Sequence, residues 1–189
     1  VVRMRGRLDP RALAAAVADV LDRHESLRTV YPATEAGPAQ QVLPVTALHL
    51  DLDATDTADL DADIDAVVTA GFDVTVDPPV RMRLLRTGTD EHVLAVVVHH
   101  IAADGSSLTP LARDLVLAYA ARAGGEAPAW EPLPLQYADY TLWFDTVLGD
   151  PDDPESRAGR QLDFWRRTLA GAPELLALAT DRPRPAQQS

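Results

Sequence analysis

The chain has 189 residues, 47% of them hydrophobic, and its 29 acidic and 17 basic residues give a formal net charge of −12. That length and apolar content suit one compact globular domain, whereas the charge has the wrong sign for binding nucleic acid or an anionic membrane surface. The absence of cysteine excludes disulfides, thiolate metal sites and a cysteine nucleophile. The sequence shows no signal-peptide pattern and no long apolar span, so we expect a cytoplasmic protein with no membrane partner.

The first half of the sequence alternates between strand and helix patterns. Val2, Met4 and Gly6 alternate with arginines, which predicts a first strand, and Asp9-Pro10 supplies the preferred cap and first-turn residues of a helix. Residues 27–31 and 48–53 predict two more strands, the latter because three leucines alternate with polar residues. Residues 60–68 then carry the apolar spacing of a second amphipathic helix.

The second half predicts a hairpin followed by helices. Residues 81–86 and 91–99 flank a short glycine-containing connection, which is typical of an antiparallel hairpin. A third helix is expected over residues 108–124 and, after a proline-rich connection, two more over residues 137–148 and 160–169. Helices between antiparallel strands favour an α+β domain with helices layered against a sheet. The sequence has no glycine-rich phosphate loop that would favour a nucleotide-binding fold instead.

The strongest signal for chemistry lies where the second hairpin strand ends. Residues 93–98 are all apolar and mostly β-branched, as in a strand buried on both faces, and they lead into His99-His100 and then Asp104-Gly105. Successive strand side chains point to opposite faces, so we do not expect the histidines to serve one site, and no metal site is predicted from them. The helix after Gly105 places backbone N–H groups near an imidazole, which suits a developing negative charge.

The motif HHxxxDG is present at residues 99–105, and the chain therefore resembles the condensation domains of nonribosomal peptide synthetases, a branch of the chloramphenicol-acetyltransferase-like superfamily. Further blocks stand in the family's order at residues 23–29, 137–143 and 161–165, the last continuing to residues 180–185. The resemblance implies a chloramphenicol-acetyltransferase-like layered α/β sandwich that forms one lobe of a two-lobed domain. We expect residues 1–179 to form the N-terminal lobe and residues 180–189 to begin the crossover toward a C-terminal lobe.

The resemblance implies formation of an amide (peptide) bond between a carrier-bound acyl or peptidyl thioester and a carrier-bound aminoacyl group. The implied partners are donor and acceptor peptidyl carrier domains, the C-terminal lobe and a neighbouring adenylation domain. Substrates would arrive on phosphopantetheine arms, so no cofactor bound directly to the chain is expected. His100 is implied as the catalytic residue, either as a general base or as a group that orients the amine and stabilises the tetrahedral intermediate, with His99 as a supporting neighbour.

Asp104, Gly105 and Arg28 complete the candidate site. A carboxylate in a tight turn before a helix more often holds the loop than acts in a triad, and the resemblance points to Arg28 as its ion-pair partner. Gly105 is interpreted as a residue with positive φ that lets the backbone approach a substrate closely. Four aromatic residues are expected in the core or at a lobe interface: Tyr137, Tyr140, Trp143 and Trp165.

Two other functions stay open at this point. One is a coenzyme A-dependent acyltransferase of the same superfamily, which the blocks at residues 23–29 and 137–143 disfavour. The other is a non-catalytic, condensation-like platform for docking other proteins, which the intact HHxxxDG motif disfavours. Because active sites of the superfamily lie between two lobes, we expect the chain alone to have little or no activity.

Overall fold

The computed structural model describes residues 1–48, 50, 52–173, 179 and 181–183. Within these ranges the strands are β1 (Val2–Arg5), β2 (Thr29–Val30), β3 (Ala33–Thr34), β4 (Gly37–Pro38), β5 (Gln41–Val42), β6 (Thr55–Asp56), β7 (Val80–Gly88) and β8 (Glu91–Val98). The α-helices are α1 (Pro10–Arg23), α2 (Leu60–Thr69), α3 (Leu108–Ala123), α4 (Tyr137–Leu148) and α5 (Arg157–Thr168). None of the helices in these ranges is long and apolar enough to cross a lipid bilayer.

The main sheet has the strand order β1-β8-β7-β6. β7 and β8 form an antiparallel hairpin, β1 pairs antiparallel with β8, and β6 pairs parallel with β7. Side chains alternate along the hairpin, which gives the sheet two distinct faces. The core face carries Val80, Met82, Leu84, Leu94, Val96 and Val98. The arginine face carries Arg81, Arg83, Leu85, Val93, Ala95 and Val97.

Helices α1 and α3 supply the apolar side chains that pack with the core face. The carboxylate of Asp9 caps α1 by accepting the N–H groups of Arg11 and Ala12, at 2.9 and 3.1 Å. The resulting core consists of Leu13, Ala16, Val17, Val20, Leu21, Leu27, Leu52, Leu84, Leu94 and Ala118. Helix α2 belongs to the arginine face, where its Asp63 lies 3.5 Å from Arg83.

The α+β class, the hairpin and the helices confirm the sequence predictions, with small shifts of the boundaries. The strand predicted at residues 27–31 is only partly right. Glu25–Arg28 form a 3₁₀ turn, closed by the N–H of Leu27 on the carbonyl of His24 at 3.1 Å, and only Thr29–Val30 form a strand. Leu27 lies in the core, as it would in an extended strand, although the backbone around it forms a turn.

The strand predicted at residues 48–53 is wrong for the described part of that segment. Positions 49 and 51 lie outside the described residues, and none of the other four is in a strand; the short β6 follows instead. The three leucines of the segment nevertheless pack against the core. The leucines of an alternating pattern can therefore be packed against a core without pairing with a neighbouring strand.

Contacts divide the chain into two compact units, Val1–Tyr140 and Thr141–Ser189. The first contains the main sheet and α1 to α3, and the second contains most of α4 and all of α5. Trp143 and Trp165 of the second unit are 58% and 55% exposed, and Tyr137 and Tyr140 are also exposed, so none of the four occupies a core. Their interface role stays a prediction, as does the lobe boundary, since only residues 181–183 of the expected crossover are described.

Candidate functional site

The strand that carries the histidines ends where the sequence predicted. The middle of β8, from His92 to Ala95, is buried on both faces, and strand pairing stops at Val98. The N–H of His99 then donates to the carbonyl of Pro79 at 2.8 Å, and the carbonyl of His99 accepts the N–H of Ala102 at 3.0 Å. These bonds close a turn directly after the strand, and His100 lies within that turn.

His100 lies on the same side as the core face of the sheet. Its side chain is exposed and lines a cavity of about 560 Å³ together with Val96 and Val98, the two preceding residues of the same parity. The lining is mostly aliphatic and comes from β7, β8, α1 and α3, and it also includes Ala103, Asp104 and Gly105. An imidazole at an apolar cavity can orient or deprotonate a polar group of a molecule whose remainder is apolar.

His99 lies on the other side, beyond the arginine face. Its ring meets the ring of Phe72 edge to face, with centroids 5.9 Å apart and planes at 79°. The N–H of Ile101 donates to Nδ1 of His99 at 3.1 Å. The two histidine side chains therefore lie in different surroundings, as predicted, and the described residues contain no cluster of ligating side chains suited to a metal ion.

Asp104 caps the helical segment that begins at Gly105. Its carboxylate accepts the N–H and the hydroxyl of Ser107 at 3.0 and 2.9 Å, and the Ser107 hydroxyl accepts the N–H of Asp104 at 3.0 Å. This reciprocal capping box satisfies donors that the start of a helix leaves free. The hydrogen bonds from Ser107 are the main reason that the pKa of Asp104 lies below its ordinary value, and the nearby charge of His100 lowers it further.

The predicted ion pair between Asp104 and Arg28 is wrong. Arg28 is buried and donates to the carbonyls of Leu21, Leu43 and Asp22 at 2.9, 2.7 and 3.1 Å. Its nearest carboxylates are those of Asp22 and Glu25, at 3.8 and 3.6 Å. A guanidinium with five donors at the carbonyl end of α1 is satisfied locally, so it has no need of a carboxylate across the fold.

The positive φ expected at Gly105 is also wrong. Gly105 opens the 3₁₀ turn Gly105–Ser107, and the glycines with positive φ lie elsewhere in the chain. A Cβ built on Gly105 would meet no atom within 4 Å. Gly105 lines the His100 cavity, but neither backbone conformation nor close packing within the described chain requires a glycine there.

Sequence reasoning missed Asp114, which is 2% exposed in the middle of α3. Its carboxylate lies 3.0 Å from Nε of Arg23 and 2.9 Å from Nε2 of His24, and the Arg23 guanidinium also lies 4.8 Å from the ring of Trp130. Burial is the largest influence on the pKa of Asp114 and raises it, but hydrogen bonds from His24, Arg113 and Arg23 outweigh burial and hold it below its ordinary value. The signal was an aspartate inside an apolar helical stripe, three residues after Leu111.

The comparisons with known proteins agree on one family. The family described as Condensation domain matches residues 1–189. The chain is 50% identical to the isonitrile lipopeptide synthase of Mycobacterium tuberculosis and 45% identical to the dimodular nonribosomal peptide synthase of Bacillus subtilis. These matches cover 97% and 100% of this chain but only 8% of each synthase, so the chain corresponds to a small part of either relative.

Solved structures give the same result for the fold. The X-domain in its complex with OxyB from teicoplanin biosynthesis is 41% identical, with a TM-score of 0.88 over 97% of this chain and 40% of that chain. The histidine motif at a strand end, the layered α+β architecture and the full-length family match point the same way. The chain belongs to the condensation-domain family of nonribosomal peptide synthetases.

Proposed function

We propose that this chain supplies the histidine-bearing wall of a site that forms an amide bond between two carrier-bound thioesters. The observation that carries the proposal is the position of His100, which is exposed at a cavity lined by aliphatic side chains next to the start of α3. Such a cavity can hold the acyl part of a substrate while the imidazole reaches the amine. The family to which the chain belongs supports the same chemistry.

The reaction joins an α-amine to a thioester carbon. The amine nitrogen attacks the carbonyl carbon of the donor, a tetrahedral intermediate forms, the C–S bond breaks, and the departing thiolate ends as a thiol after taking up a proton that the amine has lost. A thioester is already activated, and an α-amine with a reference pKa of ~8 is partly unprotonated near neutral pH, so positioning supplies much of the acceleration. His100 serves either as the base for the amine proton or as the group that orients the amine.

The proposed partners are the donor and acceptor peptidyl carrier domains, whose phosphopantetheine arms bring both thioesters to the site. A C-terminal lobe and a neighbouring adenylation domain complete the assembly. Support comes from the coverage of the relatives, since the chain spans 8% of two curated synthases and 40% of the solved X-domain chain. The activity is therefore proposed for the whole domain and not for these 189 residues by themselves.

The test is a condensation assay on the synthetase that contains this chain, with loaded donor and acceptor carriers and intact-mass detection of the product. We expect His100→Ala to lower the rate about 100-fold or more. Recovery of the variant by added imidazole would assign proton transfer to His100, and its absence would favour the orienting role. A His100→Ala synthetase as active as its parent would contradict the proposal.

A second candidate is a docking platform without condensation activity. The specific observation in its favour is the likeness to the X-domain of teicoplanin biosynthesis, which was solved in complex with OxyB. A folded synthetase that transfers no donor with any substrate pair would favour docking. Transfer of acyl groups from coenzyme A thioesters, with none from carriers, would instead favour the acyltransferase alternative.

A further inference from the structure

Arg81, Phe72 and His99 form a chain of side-chain contacts, called the stack below, next to the turn that contains His100. The guanidinium carbon of Arg81 lies 4.3 Å from the ring centroid of Phe72, and the Phe72 ring in turn contacts the ring of His99 edge to face, at 5.9 Å. We propose that Phe72 and Arg81 are positioning residues for the reaction at His100. The catalytic part of this proposal rests on the function proposed above, and its structural part does not.

Arg81 is held in a fixed orientation. Its Nη1 and Nη2 donate to the carbonyls of Ala70 and Gly71, both at 2.9 Å, immediately after the end of α2. The planar fork that reaches two carbonyls while lying over a ring is a property of arginine that lysine does not share. Because Arg81 lies opposite Val97 in the hairpin, the stack is attached to β7 and to the end of β8, the strand that leads into the two histidines.

The ring of His99 accepts a hydrogen bond that selects one tautomer of the neutral imidazole. Nδ1 accepts the N–H of Ile101, so Nδ1 carries a lone pair and the neutral ring holds its proton on Nε2. The backbone of His99 is fixed as well, by the carbonyl of Pro79 and the N–H of Ala102. The contacts of the ring and of the backbone together hold His99 in the turn, and His100 is the next residue of that turn. Phe72 forms the wall that keeps the His99 ring in the accepting position.

The first test is kinetic and uses the synthetase that contains the chain. Phe72→Leu and Arg81→Met remove the ring contact and the fork, and we expect each to lower kcat roughly tenfold or more, because small displacements of a reacting group are costly. KM for both loaded carriers should stay within about twofold, since neither residue is proposed to bind substrate. Arg81→Lys should behave like Arg81→Met, and it keeps the test valid if Phe72→Leu does not fold.

Arg86→Met is the matched control for Arg81. Arg86 is on the same strand, is exposed, and pairs with the exposed Asp56 at 3.1 Å, away from the stack. It should retain the activity of the parent. Parental kcat in both Phe72→Leu and Arg81→Met would overturn the proposal.

The second test needs no activity. Nitrogen-15 NMR of the imidazoles in the 189-residue chain should show His99 with Nδ1 unprotonated, and Phe72→Leu and Arg81→Lys should move that signal toward the average of two tautomers. A proton on Nδ1 in the parent, or unchanged signals in both variants, would overturn the positioning role. An inactive parent synthetase would instead overturn the proposed function, and the imidazole signals would still decide whether the stack holds His99.

Discussion

The turn before α3 and the middle of α3 each depend on one aspartate, in different ways. Asp104 is exposed, and its hydrogen bonds run to Ser107, three residues along the chain. Asp114 is buried and accepts from Arg23 and His24, which are 91 and 90 residues away in sequence. Local hydrogen bonds from Ser107 lower the pKa of Asp104, whereas the pKa of Asp114 is lowered because hydrogen bonds from the distant His24 and Arg23, together with those of the neighbouring Arg113, outweigh burial.

This difference determines how much stability the protein loses when each carboxylate is removed. When an exposed cap is removed, water replaces it at the free N–H groups, so the start of the helix frays and little else changes. When a buried carboxylate is removed, the largely buried Arg23 guanidinium loses an acceptor that bulk water cannot readily replace. The two aspartates therefore predict unequal responses to the same substitution.

The largest effect is expected at Asp114. Asp114→Ala should lower the free energy of unfolding by about 3 kcal/mol, because it leaves Arg23 and His24 without their shared acceptor. Urea denaturation of the chain measures this loss. Asp104→Ala is the matched variant, and an equal or larger loss there would contradict the comparison.

His24 sharpens the same comparison. Its Nε2 faces Asp114, and a glutamine amide reaches about as far from Cβ as Nε2 does, whereas an asparagine amide is one bond shorter. His24→Gln should therefore retain more stability than His24→Asn, by about 1 kcal/mol. Equal stabilities of the two variants in urea would argue against a specific bond to Asp114.

Acid should act on the stability that Asp114 contributes. Because the folded pKa of Asp114 is lowered, its contribution is fully present above the unfolded pKa of ~3.9 and is lost as the pH falls through the folded value. The difference in unfolding free energy between the parent and Asp114→Asn should be constant from neutral pH to about pH 4 and shrink below it. If this difference in unfolding free energy already shrinks above pH 5, groups other than the Asp114 carboxylate are responsible for its pH dependence.

A smaller effect is expected at Arg28. Arg28→Lys keeps the charge but cannot reach the carbonyls of Leu21 and Leu43 together, so it should cost about 1–2 kcal/mol. Since Arg28 does not contact Asp104, the losses from Arg28→Lys and Asp104→Asn should add in the double variant. Losses that do not add would be evidence for the ion pair between Asp104 and Arg28 that the sequence suggested.

The smallest effect is expected at Gly105. Gly105→Ala introduces a Cβ with no atom within 4 Å and needs no change of φ, so stability should change by less than about 0.5 kcal/mol. In the condensation assay this variant should keep the parental rate. A large loss of activity in a normally folded variant would show that substrate approaches the backbone at Gly105.

Much of this fold could be predicted from local patterns. The hairpin, the cap of α1 by Asp9 and the presence of helix α2 follow from residues a few positions apart, and the structure confirms them. The opposite placement of His99 and His100 agrees with strand alternation, but strand pairing stops at Val98 and the turn that follows completes the placement. The leucines at positions 48, 50 and 52 show the limit, because they pack against the core without belonging to a strand.

The sequence by itself determined the family, the order of the five α-helices in the described ranges and the position of the HHxxxDG motif after a strand, since each is encoded by residue types at short spacings. Only the tertiary structure decided the partners of Arg28, the negative φ of Gly105 and the burial of Asp114 beside the distant Arg23 and His24. A pattern records which residues are polar or apolar, but the partner of a buried charge depends on which distant elements the packed core brings within hydrogen-bonding distance.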